Sequence, residues 1–213
     1  MTDLLSDIDL QRLAERGVAE LGPDASAWDL LRWTDENFAG NYVVASNMQD
    51  AVLVDMAAKI RPGVDILFLD TGYHFAETIG TRDAVESVYD VNVVNVAPER
   101  TVAEQDALLG ANLFAREPNE CCRLRKVEPL TKALAGYRAF AQGPVKINPI
   151  AAWSDDDMQA YIDANGVLVN PLVDEGYPSI GCAPCTAKPI AGADPRSGRW
   201  AGTGKIECGL HQS

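Results

Sequence analysis

Apolar positions recur at helical spacing near the start of the chain. The pattern predicts a helix over residues 4–21, with Leu10, Leu13, Ala14 and Val18 on one face. Ser26 can cap a second helix reaching Phe38. Short apolar bursts then alternate with helical stretches. YVVAS (42–46), DILFLD (65–70) and VNVVNV (91–96) read as strands, and 50–60 and 75–88 as helices. Thr101 and Glu104 have capping-box spacing for a helix to about residue 109. Residues 123–135 read as a further helix and VKI (145–147) as a short strand. Ser154 can cap a helix to about residue 164.

Strands alternating with helices predict an α/β fold, with a mainly parallel sheet covered by helices on both faces. Ligands of such sheets sit beyond the carboxyl ends of the strands. Those ends here are S-N-M-Q-D (46–50) and D-T-G (70–72). Beyond about residue 170 the periodicity is lost and Gly and Pro are frequent. A tail of that length needs something other than a core to hold it, which bound metal would supply. The expected organisation is one domain over 1–213. It comprises N-terminal helices (1–40), an α/β core (41–168) and a loop-rich C-terminal tail (169–213).

Composition narrows the function. The chain has 213 residues, 47% of them hydrophobic, enough for a full core. No apolar run approaches the ~20 residues of a membrane span. The acidic start, MTDLLSDIDL, does not read as a signal or transit peptide, so a cytoplasmic location is expected. A net charge of −13 disfavours nucleic acid and anionic membranes as partners. The cations are not evenly spread. Residues 121–126 hold Arg123, Arg125 and Lys126 with no acid, and residues 185–211 hold four cations against two acids. Positive charge therefore gathers beside the cysteines, which a small anionic ligand would explain; short local charge excesses are also common.

The five cysteines divide into four plus one. Cys121 and Cys122 are adjacent, Cys182 and Cys185 form C-x-x-C, and Cys208 stands alone. In the cytoplasm such thiols are more often metal ligands or catalysts than disulfides. A bridge between neighbouring cysteines would distort the peptide joining them. Four thiolates are the ligand set of a [4Fe–4S] cluster and also of structural zinc, and unligated thiols are a third reading. The tandem pair favours the cluster, because all-cysteine zinc sites usually use two C-x₂₋₄-C pairs. Basic neighbours would offset the thiolate charge, and a buried one would tune the cluster. Cys208 lies in K-I-E-C-G-L-H between Lys205 and His211, which could lower its pKa, with Glu207 opposing. Flanking glycines suit a nucleophile that visits a substrate and then another protein; an incidental tail cysteine is the other reading.

The strand-end loops offer weaker signals. Ser46, Gln49 and Asp50 lie between a strand and a helix, where backbone N–H groups attract phosphate. Asp70, with Thr71 and Gly72, could accept hydrogen bonds from a ligand or from nearby backbone. His74 reads as a polar residue at a helix start.

Together these residues closely resemble the assimilatory adenylylsulfate reductases, the cluster-containing branch of the sulfonucleotide reductases. The resemblance is carried by LFLDTGYHFAET (67–78), ECCRLRKVEPL (120–130), NPLVDEGYPSIGCAPCT (170–186), RSGRW (196–200) and KIECGLH (205–211). They stand in the family's order and cover most of the chain from about residue 40. The resemblance implies a Rossmann-like, adenine nucleotide α-hydrolase-like fold with a modified pyrophosphate loop at 46–50. It implies a [4Fe–4S] cluster on Cys121, Cys122, Cys182 and Cys185, and makes Cys208 the nucleophile. Lys126, Arg196 and Arg199 match positions that contact or neighbour the sulfonucleotide, and Lys205 and His211 belong to the same expected site. The implied substrate is adenylylsulfate and the implied reductant thioredoxin; a homo-oligomer is left open.

One departure stands out. Family members usually carry a longer segment, with T-G-x-R-R, between the equivalents of Tyr137 and Lys146. Here the chain runs AGYRAFAQGPVKINPIAAW (135–153), with Gln142-Gly143 as the remnant and no Arg pair. Charge-assisted bonds are worth roughly 1.5–3 kcal/mol each, so losing two should weaken anion binding. Two other readings follow: a reductase of 3′-phosphoadenylylsulfate, and a non-catalytic protein that binds the cluster or nucleotide.

Overall fold

The structure, a computed structural model, describes residues 7–38, 40–137, 145–203 and 205. Helices α1 (Asp7–Leu21) and α2 (Ala27–Phe38) come first. Strands and helices then alternate through β1 (Val44–Ala45), α3 (Val52–Ile60), β2 (Val64–Leu69), α4 (Ala76–Val88), β3 (Val91–Val96) and α5 (Val102–Leu109). Short helices α6 (Leu113–Arg116) and α7 (Pro118–Cys122) lead through a π turn (Arg123–Val127) into α8 (Glu128–Leu134). Helix α9 (Asp155–Asn165) precedes a C-terminal segment whose one helical element, among the described residues, is a 3₁₀ turn, Ala183–Cys185.

Among the described residues the sheet is parallel, in the order β1-β2-β3. Strand β2 lies in the middle, and its alternation shows why it is apolar apart from Asp65. Ile66 and Phe68 face one core with Leu31, Val52, Met56 and Val85, drawn from α2, α3 and α4. Leu67 faces the opposite side and packs with Val43 and with Leu130 and Leu134 of α8. A strand buried on both faces loses the polar–apolar alternation of a surface strand. The parallel α/β fold expected from the sequence is therefore present.

All three expected caps form. Thr101 and Glu104 make both halves of a capping box at α5, as do Ser154 and Asp157 at α9. Ser26 and Asp29 exchange the same pair of bonds at α2. No helix among the described residues is long and apolar enough to cross a membrane.

Several boundaries differ from expectation. The strand over 42–46 contracts to Val44–Ala45, and the helix over 50–60 begins at Val52. VKI (145–147) forms no strand. It is hemmed between Pro144 and Pro149, which cannot donate to a ladder, and Val145 instead enters the core. The helix expected over 123–135 begins earlier, at Pro118, and its first half is not α-helical. Pro129 lacks the N–H that would bond the Arg125 carbonyl four residues back, and the backbone widens there. Glu128 N–H accordingly reaches five residues back, to Arg123 O. Expected helix residues 4–6 lie outside the described residues.

The C-terminal segment is tied to the core by its own hydrogen bonds. Asn170 is fully buried, and its Nδ2 donates to Met48 O at 3.0 Å and Thr78 Oγ1 at 3.1 Å. Its Oδ1 accepts from Leu172 N–H at 3.1 Å. Gln49 adds a second tie, donating to Pro178 O and accepting from Ile180 N–H. These bonds seat the segment over the carboxyl ends of β1 and β2.

Candidate active site

Two cavities meet beyond those strand ends. The larger, about 630 Å³, is lined by β1 and the loop after it, the end of β2, Lys146–Ala151 and the C-terminal segment. That volume suits a nucleotide-sized ligand. Its charged wall is one-sided. Among the described residues Lys126, Lys146, Arg196 and Arg199 face a single acid, Asp50. Such a wall in a protein of net charge −13 selects an anion.

Of the residues expected at the site, Ser46, Asp50, Thr71, Lys126, Arg196 and Arg199 line this cavity. Gln49, Asp70 and Gly72 do not belong to its lining. Gln49 braces the C-terminal segment, as above. Asp70 accepts the Gly72 N–H at 2.9 Å and lies 3.8 Å from Arg82, which fixes the turn after β2. Gly72 has φ +72 and packs against Arg125. Lys205 sits apart, donating to Asn119 Oδ1 at 2.7 Å beside α7. Cys208, His211 and Gln142-Gly143 lie outside the described residues.

The loop 46–50 uses its own side chains to satisfy its backbone. Ser46 Oγ accepts from Met48 N–H, Asn47 Oδ1 from Gln49 N–H, and Asp50 Oδ1 from Val52 N–H. An anion at this helix start must therefore displace side-chain caps rather than find open donors. Burial holds the Asp50 carboxyl above its ordinary pKa, opposed by the Val52 bond.

The smaller cavity is lined by all four cysteines of the two pairs, together with Tyr73, Phe114, Pro118, Arg125, Lys126 and Trp200. Cys121, Cys122 and Cys182 are buried and Cys185 is partly so. Burial, and then repulsion from the other three sulfurs, pushes the Cys121 thiol up to about 12; Arg125 opposes this. Burial with repulsion from Cys182 and Cys122 raises Cys185 to about 11. Such a set ionises only when a cation joins it. Among the described residues, no group of three or more His, Cys, Asp or Glu side chains is arranged around a single metal ion. A four-iron cluster does not require that, since each thiolate takes its own iron. The donor chemistry fits a cluster.

The basic residues beside the cysteines separate into three roles. Arg123 is half-exposed and paired with Glu120 and Glu128, so it does not face the sulfurs. Arg125 is 3% exposed. It donates to Thr71 O, and to Arg100 O and Gln105 Oε1 at 3.2 and 3.1 Å, and lies over the Tyr73 ring. Lys126 lines both cavities, as do Cys182 and Trp200. Thr71 Oγ1 lies 3.2 Å from Cys182 Sγ, a buried contact that joins the end of β2 to the cysteines.

Sequence reasoning missed three lining residues. His74 is no surface polar residue: it lines the larger cavity, and its Nε2 lies 2.9 Å from Leu69 O. A carbonyl only accepts, so Nε2 carries the proton. Lys146 was not singled out, and Trp200 entered only within RSGRW; each joins the site by its place on the cavity wall.

The sequence matches the phosphoadenosine phosphosulfate reductase domain over residues 40–144 and 140–188. The match divides at the shortened segment. An adenosine 5′-phosphosulfate reductase of Mycolicibacterium smegmatis is 72% identical over 237 aligned positions, covering 100% of both chains. That alignment is longer than the 213 residues here, so the relative carries residues with no counterpart in this chain. A second, from Mycobacteroides abscessus, is 70% identical over 97% of each chain. Among solved structures, a phosphoadenylyl-sulfate reductase from Candida auris, in a phosphate complex, superposes with a TM-score of 0.69 at 26% identity. It covers 88% of this chain and 100% of that one. The domain match, the full-length relatives and the shared fold agree: this chain belongs to the phosphoadenosine phosphosulfate reductase domain family.

Proposed function

We propose that this protein reduces adenylylsulfate to sulfite and AMP in cytoplasmic sulfate assimilation, with thioredoxin as the electron donor. One observation carries the reading. The cation-lined cavity and the four-cysteine cavity share a wall, formed by Lys126, Cys182 and Trp200. Relatives about as long as this chain and 70–72% identical to it bear the name of that reductase.

In this reading the nucleotide lies over the ends of β1 and β2, with Ser46 and Asp50 at the loop. Lys126, Arg196 and Arg199 take the phosphosulfate oxygens, for which guanidinium groups are well shaped. Cys208 thiolate attacks the sulfur of the sulfate group. The sulfur–oxygen bond to phosphate breaks, AMP leaves, and Cys208 carries S–SO₃⁻. A thioredoxin thiolate then attacks Cys208 Sγ, expelling sulfite and forming a mixed disulfide. The second thioredoxin thiol resolves it, so the dithiol supplies both electrons and Cys208 returns as thiolate. Lys205 and His211 flank Cys208 in sequence and would favour that thiolate, with Glu207 opposing.

Cys121, Cys122, Cys182 and Cys185 would hold a [4Fe–4S] cluster. When bound, it supplies a fixed charged centre at the cavity wall. Its neighbours Thr71, Arg125 and Lys126 would orient and balance the ligands.

The test is sulfite release from adenylylsulfate and, separately, from 3′-phosphoadenylylsulfate, with thioredoxin supplied. Wild type should release sulfite from the former and Cys208→Ser from neither. No sulfite from either nucleotide with wild type would leave a binding protein. Preference for the 3′-phosphorylated substrate would favour the activity named for the Candida auris structure. Anaerobic analysis should find iron and sulfide in about equal amounts, about four of each per chain; zinc in their place would refute the cluster.

A further inference from the structure

Arg199 is held by an unusual feature of the backbone beside Cys182. Residues 185–187 pair antiparallel with 198–200. Ala187 N–H donates to Gly198 O and Trp200 N–H to Cys185 O, both at 2.9 Å. Gly198 makes this approach possible, since a Cβ there would overlap the Ala187 carbonyl. The pairing carries Arg199 back onto Gly181, the residue before Cys182. Arg199 Nη1 donates to Ile180 O at 3.1 Å and Ser179 Oγ at 3.3 Å. Its guanidinium carbon lies 4.8 Å from the Trp200 ring centroid.

The guanidinium is thus bounded by the Trp200 ring and the bare backbone of Gly181. A Cβ at Gly181 would stand 2.5 Å from Arg199 Cζ and 3.0 Å from its Nε, and closer still to Nη2. Its nearest three contacts are all atoms of that side chain. Gly181 is not among the glycines with positive φ, so its backbone suits any residue. Conformation does not call for glycine here, and the seat of Arg199 does. Gly181, Cys182 and Arg199 all line the larger cavity.

We propose that Gly181 is a positioning residue, whose missing side chain seats the Arg199 guanidinium on the cavity wall where the sulfonucleotide's anionic end binds. The proposal rests on the reading of that cavity as the adenylylsulfate site. An alanine at 181 leaves the backbone in place and pushes the flexible arginine tip away. The loss should fall on substrate affinity and not on folding.

The experiment is a double-mutant cycle of Gly181→Ala and Arg199→Ala. In the wild-type background Gly181→Ala should raise KM for adenylylsulfate about tenfold or more, by the weight of a charge-assisted bond. Its kcat and iron content should stay near wild type. In the Arg199→Ala background the same change should move KM less than about twofold, because the added methyl group then meets no arginine. A KM near wild type for Gly181→Ala, or an equal loss in both backgrounds, overturns the proposal. Should Gly181→Ala fail to fold, restored folding in the double variant supports it and continued misfolding overturns it. A second readout needs no substrate. Trp200 emission should differ between wild type and Gly181→Ala, and the difference should vanish in a Trp200→Phe background. Identical spectra overturn the proposal. If wild type releases no sulfite, the functional reading falls, while the fluorescence still tests where Arg199 sits.

Discussion

His74 illustrates how much a single ring depends on its surroundings. Spacing placed it at a helix start, and tertiary structure encloses it against Phe68, with ring centroids 4.8 Å apart, and leaves Nδ1 buried without a partner among the described residues. Burial lowers its pKa more than the Leu69 carbonyl and Asp70 raise it. As pH falls, the unfolded chain takes up the proton first, so the His74 contribution to stability should decline below about pH 6.5 and be level above it. The only other histidine is His211. Urea unfolding at about pH 7.5 and 5.5 should show a larger loss for wild type than for His74→Phe. Two glycines give a paired prediction at the same scale. Gly72 has φ +72, and a Cβ there would lie 2.9 Å from Arg125 Nη2, so Gly72→Ala should cost about 1–2 kcal/mol or more. Gly80 lies inside α4 with nothing within 4 Å, so Gly80→Ala should stabilise by roughly 0.5–1 kcal/mol. Chemical denaturation of both variants checks the contrast. The D-T-G motif was visible in sequence, but its division of labour was not: Thr71 reaches Cys182, Asp70 closes the turn and Gly72 makes room for Arg125.

At the scale of elements, local signals were most reliable where the chain makes its own contacts. Thr101–Glu104, Ser154–Asp157 and Ser26 form caps within four residues, and each was legible. Strand β2 was legible because its burial on both faces makes it apolar at every position but Asp65. VKI and the helix through Arg125 were misread, since a strand needs a partner and a proline changes the hydrogen-bond step. Asn170 began one of the segments that carry the resemblance, but as one polar residue in a loop it had nothing local to give it a structural role. Its side chain satisfies Met48 O, Thr78 Oγ1 and Leu172 N–H from full burial. Asn170→Ala should cost about 1–3 kcal/mol, because buried partners lose their bonds. Amide exchange should rise chiefly over 168–186, around C-x-x-C. An even rise across the whole chain would show instead that the segment is not a separate unit.

For the whole molecule, the shortened segment gives a prediction about substrate affinity. The domain match divides at residues 140–144, and the Mycolicibacterium smegmatis relative aligns over more positions than this chain has residues. Lys146 follows directly and lines the larger cavity. Grafting that relative's segment between Tyr137 and Val145 should tighten adenylylsulfate binding by about tenfold or more, if it restores one charge-assisted contact. Equilibrium binding of the graft checks this, and an unchanged affinity would mean that Lys126, Lys146, Arg196 and Arg199 already suffice.

The sequence alone determined the α/β class, the three caps, the four-plus-one division of cysteines and the family, because these rest on periodicity, short-range bonds and residue identity. The resemblance already pointed to Lys126, Arg196 and Arg199; tertiary structure alone added Lys146 to the wall of the larger cavity and fixed how each cation is held. It turned Arg123 outward and Arg125 inward, put Lys126 on both cavities, and laid Arg199 against Gly181. Those assignments depend on contacts between segments far apart in the chain, such as Thr71 with Cys182 and Gln49 with Ile180, and no local pattern encodes which side of a wall a residue will occupy.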